Sequence, residues 1–436
     1  MRNVLLWVLL IGIAALLIQC AGTKQLTEDE YDQLSPQEKI TYLEKYTKKN
    51  STDIQSKKKL YQEYLNLDMT EKALGVMEDI VKQDPYQADV QFEYGEIMMK
   101  RGETTPAYRA FRDALKSPGG TSYSTGVSRY LGGKYSVQQV TSGPADEAFP
   151  VFSSDGSKLL YQTNENGNWD ITERNLNTGE TRMLVNTPAA EELPSISADG
   201  KKLLYTSNAD DRRPIDDKFK VREVYLLELE NGITKNLTES VADDWLPRFS
   251  HDGQLITFVT ERSDLRSVPY TDKHSDVFRM ESDGDFHTQL TNDEANNGGA
   301  TFGADDSHIY FHSNKNGSYD IFVMKADGSL PMILIENPNS NEVNPFVSPD
   351  SQFITFFSDQ TGSYEIYRAR IDGSEIERLT MSPAKNTNPV FSPDSKYIAY
   401  HSDQNGNYDI FLINLQSTSE PTAQELIRQL DALLGS

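Results

Sequence analysis

The chain has 436 residues, with 42 Lys+Arg against 66 Asp+Glu for a formal net charge of −24, and one cysteine, Cys20. That length leaves room for two or three domains with large cores. The acidic balance argues against nucleic acid as a partner and fits a basic peptide, a cation or plain solubility. A single thiol excludes an internal disulfide and a cysteine-based zinc site.

At the N-terminus, Arg2 and the apolar run Val4–Ile18 form the n-region and h-region of an export signal. The run is short for a membrane span. Leu17-Ile18-Gln19-Cys20 resembles a bacterial lipobox, with Gln19 where that motif carries a small residue. The resemblance implies a signal peptide over 1–19 and lipid attachment at Cys20, the acyl chains holding the protein to a bilayer at about 0.8 kcal/mol per buried methylene. The alternatives are an ordinary signal peptide or a short uncleaved anchor. A lipid anchor would make the chain an outer-membrane lipoprotein of the cell envelope, facing the periplasm or the cell surface.

Residues 20–116 read as helical. Two units align at an offset of 34 residues, with Ala73 matching Ala107, Met77 matching Phe111 and Ile80 matching Ala114. Small and aromatic residues at Gly95, Gly102, Ala107, Phe111 and Ala114 resemble a tetratricopeptide repeat, whose period is also 34. Small residues at Gly95 and Ala107 let two helices of a hairpin approach closely. Two repeats are few for a continuous face, so Leu26–Tyr46 is expected to cap them. The unit is either a peptide-binding groove or a spacer, and Ser117–Lys134, rich in Gly, Ser and Thr, reads as a linker over 117–134.

From 135 to 416 the pattern alternates with period two. Turn aspartates Asp155, Asp199, Asp252, Asp305, Asp350 and Asp394 recur at spacings of 44, 53, 53, 45 and 44. Each opens an alternating apolar run, then an Asn/Gly turn, then Asp or Glu before an apolar pair: Asp170, Glu223, Asp276, Asp320, Glu365 or Asp409. Six such four-stranded units predict a six-bladed β-propeller. Blades two and three carry nine extra residues in one loop, near Ala209–Lys218 and Glu261–Lys273. Fourth strands are marked by Leu184, Leu237, Leu290, Leu334 and Leu379, and the last blade lacks one. Val137–Thr141 lies at the right spacing to complete that blade and close the ring, covering an edge that would invite aggregation.

The recurring P-x-F-S-P-D-G, followed by D-I-[YF], resembles the propeller of TolB and its relatives; the Trp-Asp repeat signature is absent. The fold class is therefore an all-β six-bladed propeller behind a helical, tetratricopeptide-like domain. The resemblance implies a periplasmic binding scaffold. The order of anchor, helical repeats and propeller also resembles lipoproteins of secretion and gliding machineries in Bacteroidetes-like bacteria.

Signals for catalysis are few. No G-x-S-x-G elbow occurs, and the six histidines show no H-E-x-x-H or comparable spacing. His312 and His401, equivalent in two blades, read as strand residues. The hairpins Asn164–Asp170 and Asp403–Asp409 superficially resemble calcium loops, but Asn-Gly is first a hairpin signal. No cofactor is expected.

Eight residues before each anchor stand Glu147, Glu191, Asp244, Asn297, Glu342 and Asn386, expected to ring one mouth of the central channel and hold a cation or a basic or amide-rich peptide. The plainer expectation is a solvated rim. The two insertions emerge on the same face with Arg212, Arg213, Arg262 and Arg266, and Trp245 adjoins Asp244; aromatic and Arg residues on one rim suit a protein contact. Residues 417–436 predict an amphipathic helix with a Thr422…Glu425 capping box and Leu426, Ile427, Leu430, Leu433 and Leu434 on one face. It docks on the chain's own surface or, alternatively, on a partner.

These features predict a non-enzymatic, membrane-tethered envelope scaffold that binds envelope proteins or peptidoglycan-associated components, with no nucleic acid. The alternative is a metal-dependent polysaccharide lyase or carbohydrate-binding propeller, since some TolB-like propellers hold a metal on central histidines.

Overall fold

A computed structural model describes residues 25–216, 219–268, 272–382, 384–418 and 421–435. The expected export signal and Cys20 lie outside the described residues. The chain divides into two units: a helical one, through Val127 and again from Thr422, and a propeller over Ser128–Pro421.

Capping boxes start three helices, at Thr27 with Glu30, Ser35 with Glu38, and Thr422 with Glu425. Helices Ile54–Asn66 and Thr70–Gln83 pack as one hairpin, Ala88–Lys100 and Thr104–Lys116 as the next. The residues matched at offset 34 are those that pack: Ala73, Met77, Ile80, Ala107, Phe111 and Ala114 are all 0% exposed. Gly95 is glycine for a steric reason, because a Cβ there would lie 2.5 Å from the Phe111 ring. Pro36–Lys49 packs on Ile54–Asn66.

The expected linker is instead structured. Gly120–Tyr123 forms a 3-10 turn and Ser124–Leu131 an α-helix, with Val127 fully buried and the Tyr123 ring tilted against that of Phe92, centroids 4.9 Å apart. Val127 and Leu131 recur at helical spacing, a signal masked by the Gly/Ser/Thr content around them. The tail helix, Ala423–Leu433, buries Leu426, Ile427 and Leu430 against Thr104–Lys116, and Asp431 meets Arg112 at 3.4 Å. Leu433, expected on the buried face, is exposed. The chain thus returns to its helical unit after completing the propeller.

The propeller has six antiparallel four-stranded sheets. Five are built from consecutive strands, with inner strands Glu147–Phe152, Glu191–Ile196, Asp244–Phe249, Asn297–Phe302 and Glu342–Val347. The sixth takes Asn386–Phe391, Tyr397–Ser402 and Asp409–Thr418 and borrows Tyr135–Gln139 as its outer strand. Closure goes beyond the ladder. Val140 N–H donates to Ile410 O, and Ile410 N–H donates to Thr141 Oγ1, both at 2.8 Å.

The turn aspartates are braces. Asp155 accepts from Ser153 Oγ (2.7 Å) and Ser157 N–H (3.0 Å), and Asp394 accepts likewise from Ser392 and Lys396. These bonds favour the ionised form, and the Asp155 carboxyl is pulled down to about 2. Between second and third strands, directly opposed aromatics stack in four blades: Tyr205 on Tyr225, Phe311 on Phe322, Phe356 on Tyr367 and Tyr400 on Phe411, centroids 5.6 to 5.7 Å apart.

Candidate functional site

The six-residue column falls on the first residue of each inner strand. Its members are not open to a channel mouth: all six are buried, none more than 9% exposed. Each uses its backbone N–H to join its blade to the one before, donating to the residue that precedes that blade's third strand. Glu147 donates to Tyr408 O at 2.7 Å, Glu191 to Trp169 at 2.8 Å, Asp244 to Arg222 at 2.9 Å, Asn297 to Ser275 at 2.9 Å, Glu342 to Tyr319 at 2.7 Å and Asn386 to Tyr364 at 2.8 Å.

The side chains turn into the same joints. Thr187 Oγ1 donates to Glu191 (2.6 Å), Ser340 and Ser358 donate to Glu342 (2.6 and 2.9 Å), Asn297 donates to Asp293 (2.9 Å) and Asn386 to Glu365 (2.7 Å). Burial first, then neighbouring carboxylates such as Asp409 and Asp320, push Glu147 and Glu342 up to about 7 despite hydroxyl donors that oppose the shift. The column was legible as a repeat; its burial follows from the neighbouring blade's loop lying over it, which one blade's pattern does not contain.

Arg262 is likewise internal. It donates to Asp244 at 2.7 Å and meets His287 Nδ1 at 2.7 Å. Asp244 is nonetheless held up at about 6, because its burial outweighs the nearby guanidinium.

The inserted loops emerge at the end of the propeller where the inner strands begin. They share an Asp-x-Arg clamp. Arg213 Nε donates to Asp211 at 2.8 Å while Val221 N–H caps the same carboxylate; Arg266 Nε donates to Asp264 at 3.0 Å while His274 N–H caps it. Arg213 and Arg266 therefore shape their loops. Arg212 is exposed. Trp245 is half-buried with the Arg222 guanidinium 5.9 Å from its ring, and Arg222 in turn pairs with Asp243. This end also exposes large apolar side chains: Leu265 at 91% and Val241 at 98%, with Ile215, Phe219 and Val268 in the loops.

The channel was not anticipated in detail. Each inner strand carries a bulge, and its third residue is left-handed: Phe149, Leu193, Leu246, Gly299, Asn344 and Asn388, with φ from 50° to 59°. The inward kink matches the proline that follows five of them. Two histidines serve this collar: Phe149 N–H donates to His401 Nδ1 and Asn344 N–H to His312 Nδ1, each at 3.2 Å. Gln162 Oε1 accepts from Leu193 N–H in the same way at 2.9 Å. Burial lowers both histidines to about 3, so they are neutral. Among the described residues no group of three or more His, Cys, Asp or Glu is placed to hold a metal ion. Below the collar lies a chamber of about 240 Å³, formed by the ends of the six inner strands, with Arg248 in its wall.

Six blades joined by backbone bonds and closed by a borrowed strand, together with a unit of helical hairpins, define a helical-repeat β-propeller protein. The propeller is TolB-like: residues 319–426 match the TolB beta propeller domain family. An uncharacterized protein of Agrobacterium fabrum is 30% identical over 117 residues, 26% of this chain and 36% of that relative, so the match spans little more than a third of its length. Among solved structures, TolB from Acinetobacter baumannii is 16% identical with a TM-score of 0.45, covering 63% of this chain and 65% of that one. An oligogalacturonate lyase in complex with manganese is also 16% identical, with a TM-score of 0.46, covering 66% and 95%. At these values neither structure transfers an activity or a ligand.

Proposed function

We propose that this chain is a non-enzymatic, envelope-associated scaffold, tethered through Cys20, that binds a protein partner on the propeller face bearing the two inserted loops. The observation that carries the reading is the pair of clamped loops on adjacent blades. Each is braced by its own Asp–Arg pair and presents apolar side chains to solvent, Leu265 foremost. Stiffened loops with exposed apolar tips suit a protein contact, because little conformational entropy is lost on binding. The net charge of −24 favours a partner with basic character around an apolar centre. The TolB-like repeat supports an envelope setting.

The test is crosslinking and affinity capture from envelopes with wild type, Leu265→Asp and Val241→Asp, each checked for native circular dichroism. Loss of the same captured proteins from both variants is expected. An undiminished set would remove this face from consideration.

A further inference from the structure

Arg248 is the fifth residue of the inner strand Asp244–Phe249 and lines both the chamber and the narrow collar above it. Its guanidinium donates to Asn344 Oδ1 at 3.3 Å and lies 5.1 Å from the Phe346 ring centroid. Among the described residues it makes no ion pair, in a chain where acids outnumber bases by 66 to 42. The Asn344 amide is itself held, donating to Asn388 Oδ1 at 2.5 Å. The guanidinium is thus aimed by a buried amide rather than neutralised by an acid. Burial without a compensating anion lowers it to about 10.

The chamber wall is mixed, with hydroxyls such as Ser195, Ser250 and Thr301 at its edges, and its largest apolar contribution is aromatic. Phe152, Phe249, Phe302, Phe346 and Phe391 come from the ends of five different inner strands. A cation in a largely apolar cavity is unfavourable until an anion arrives, and a guanidinium fork matches a carboxylate through two parallel hydrogen bonds.

We infer that the chamber is a binding site for a carboxylate carried on an apolar body, with Arg248 taking the carboxylate and the phenylalanines the body. Asn344 and Asn388 are positioning residues. The carboxylate could come from a free acid or from the C-terminus of a polypeptide, since both present the same group. The site opens at the end of the propeller opposite the inserted loops, so it is independent of the proposed partner face.

Calorimetry on the full chain tests this with 3-phenylpropionate against 3-phenylpropionamide, and with a short peptide ending in Phe as the free acid against its C-terminal amide. The expected result is binding of the acid forms, with each amide weaker by about tenfold or more, the contribution of a charged hydrogen bond. Arg248→Met should reduce acid binding to the level of the amide while leaving the melting temperature unchanged or higher, because it removes a half-buried charge that has no ion-pair partner among the described residues. Arg248→Lys, which keeps the charge and loses the fork, should bind between the two. The free acid binding more tightly would mark a small-molecule source, and the peptide a polypeptide terminus. Equal binding of acids and amides, binding that survives Arg248→Met, or no binding of any probe at millimolar concentration would overturn the assignment.

Discussion

Arg262 and Asp244 face each other across 2.7 Å inside blade three, the guanidinium also lying 5.2 Å from the Phe258 ring and 5.6 Å from that of Phe278. An arginine that begins an inserted loop is thus a strut of the blade. Removing it strands a fully buried carboxylate. Arg262→Met should destabilise the propeller by roughly 3 kcal/mol or more in urea unfolding, and protein that remains folded should capture partners normally. A stability change within a few tenths would show that the pair is dispensable.

Ring closure includes a bond to a hydroxyl. Thr141→Val keeps the shape of the side chain but deprives Ile410 N–H of its acceptor. The expected loss is about 1–2 kcal/mol, with faster amide exchange concentrated in Asp409–Asn414. Exchange spread evenly over all six blades would contradict a local closure.

The joints make stability depend on pH in two opposing ways. Glu147, at about 7 when folded, holds a proton that the unfolded chain releases near its ordinary value of 4.5. Its contribution is full below 4.5 and is lost as pH rises to 7. His401, at about 3, resists a proton that the unfolded chain takes up near 6.5. It therefore lowers stability as pH falls below 6.5. Glu147→Gln should raise stability at pH 8 by on the order of 1 kcal/mol and change little at pH 4.5. His401→Gln, which places in the last blade the side chain that Gln162 supplies in the first, should flatten the acid side of the profile. Thermal melts from pH 4 to 8 read both.

Gly299 faces a different constraint from its five counterparts, which are left-handed without being glycine. A Cβ at Gly299 would lie 2.6 Å from His312 Nδ1 and 2.8 Å from Asn344 Oδ1. Gly299→Ala should cost about 1–3 kcal/mol, and His312→Gln should recover part of that loss in the double variant, a coupling readable in a double-mutant cycle. Strict additivity would show that the imidazole is not what excludes the methyl group.

Much of this protein is written locally. Period two, turn aspartates and the spacing of Asp155 to Asp394 specify six blades, because strand alternation and turn chemistry act over a few residues. The missing fourth strand after Asp394, set against the spare Val137–Thr141, specifies how the ring closes. The 34-residue offset likewise identifies Ala73, Met77 and Phe111 as core. What these residues face depends on chain far away. Glu147, Glu191 and Asp244 are polar residues at strand starts, and only the neighbouring blade determines that they are buried in a joint. Arg213 and Arg266 have charges that suit a partner, yet the aspartate two residues earlier takes each of them. Arg248 gives no sign in its strand of being special; it becomes a candidate site only when six inner strands converge and, among the described residues, leave its charge without an acid. Local pattern determines the elements and their closure, while burial and charge compensation, which sum contributions from all six blades, exist only in the assembled ring.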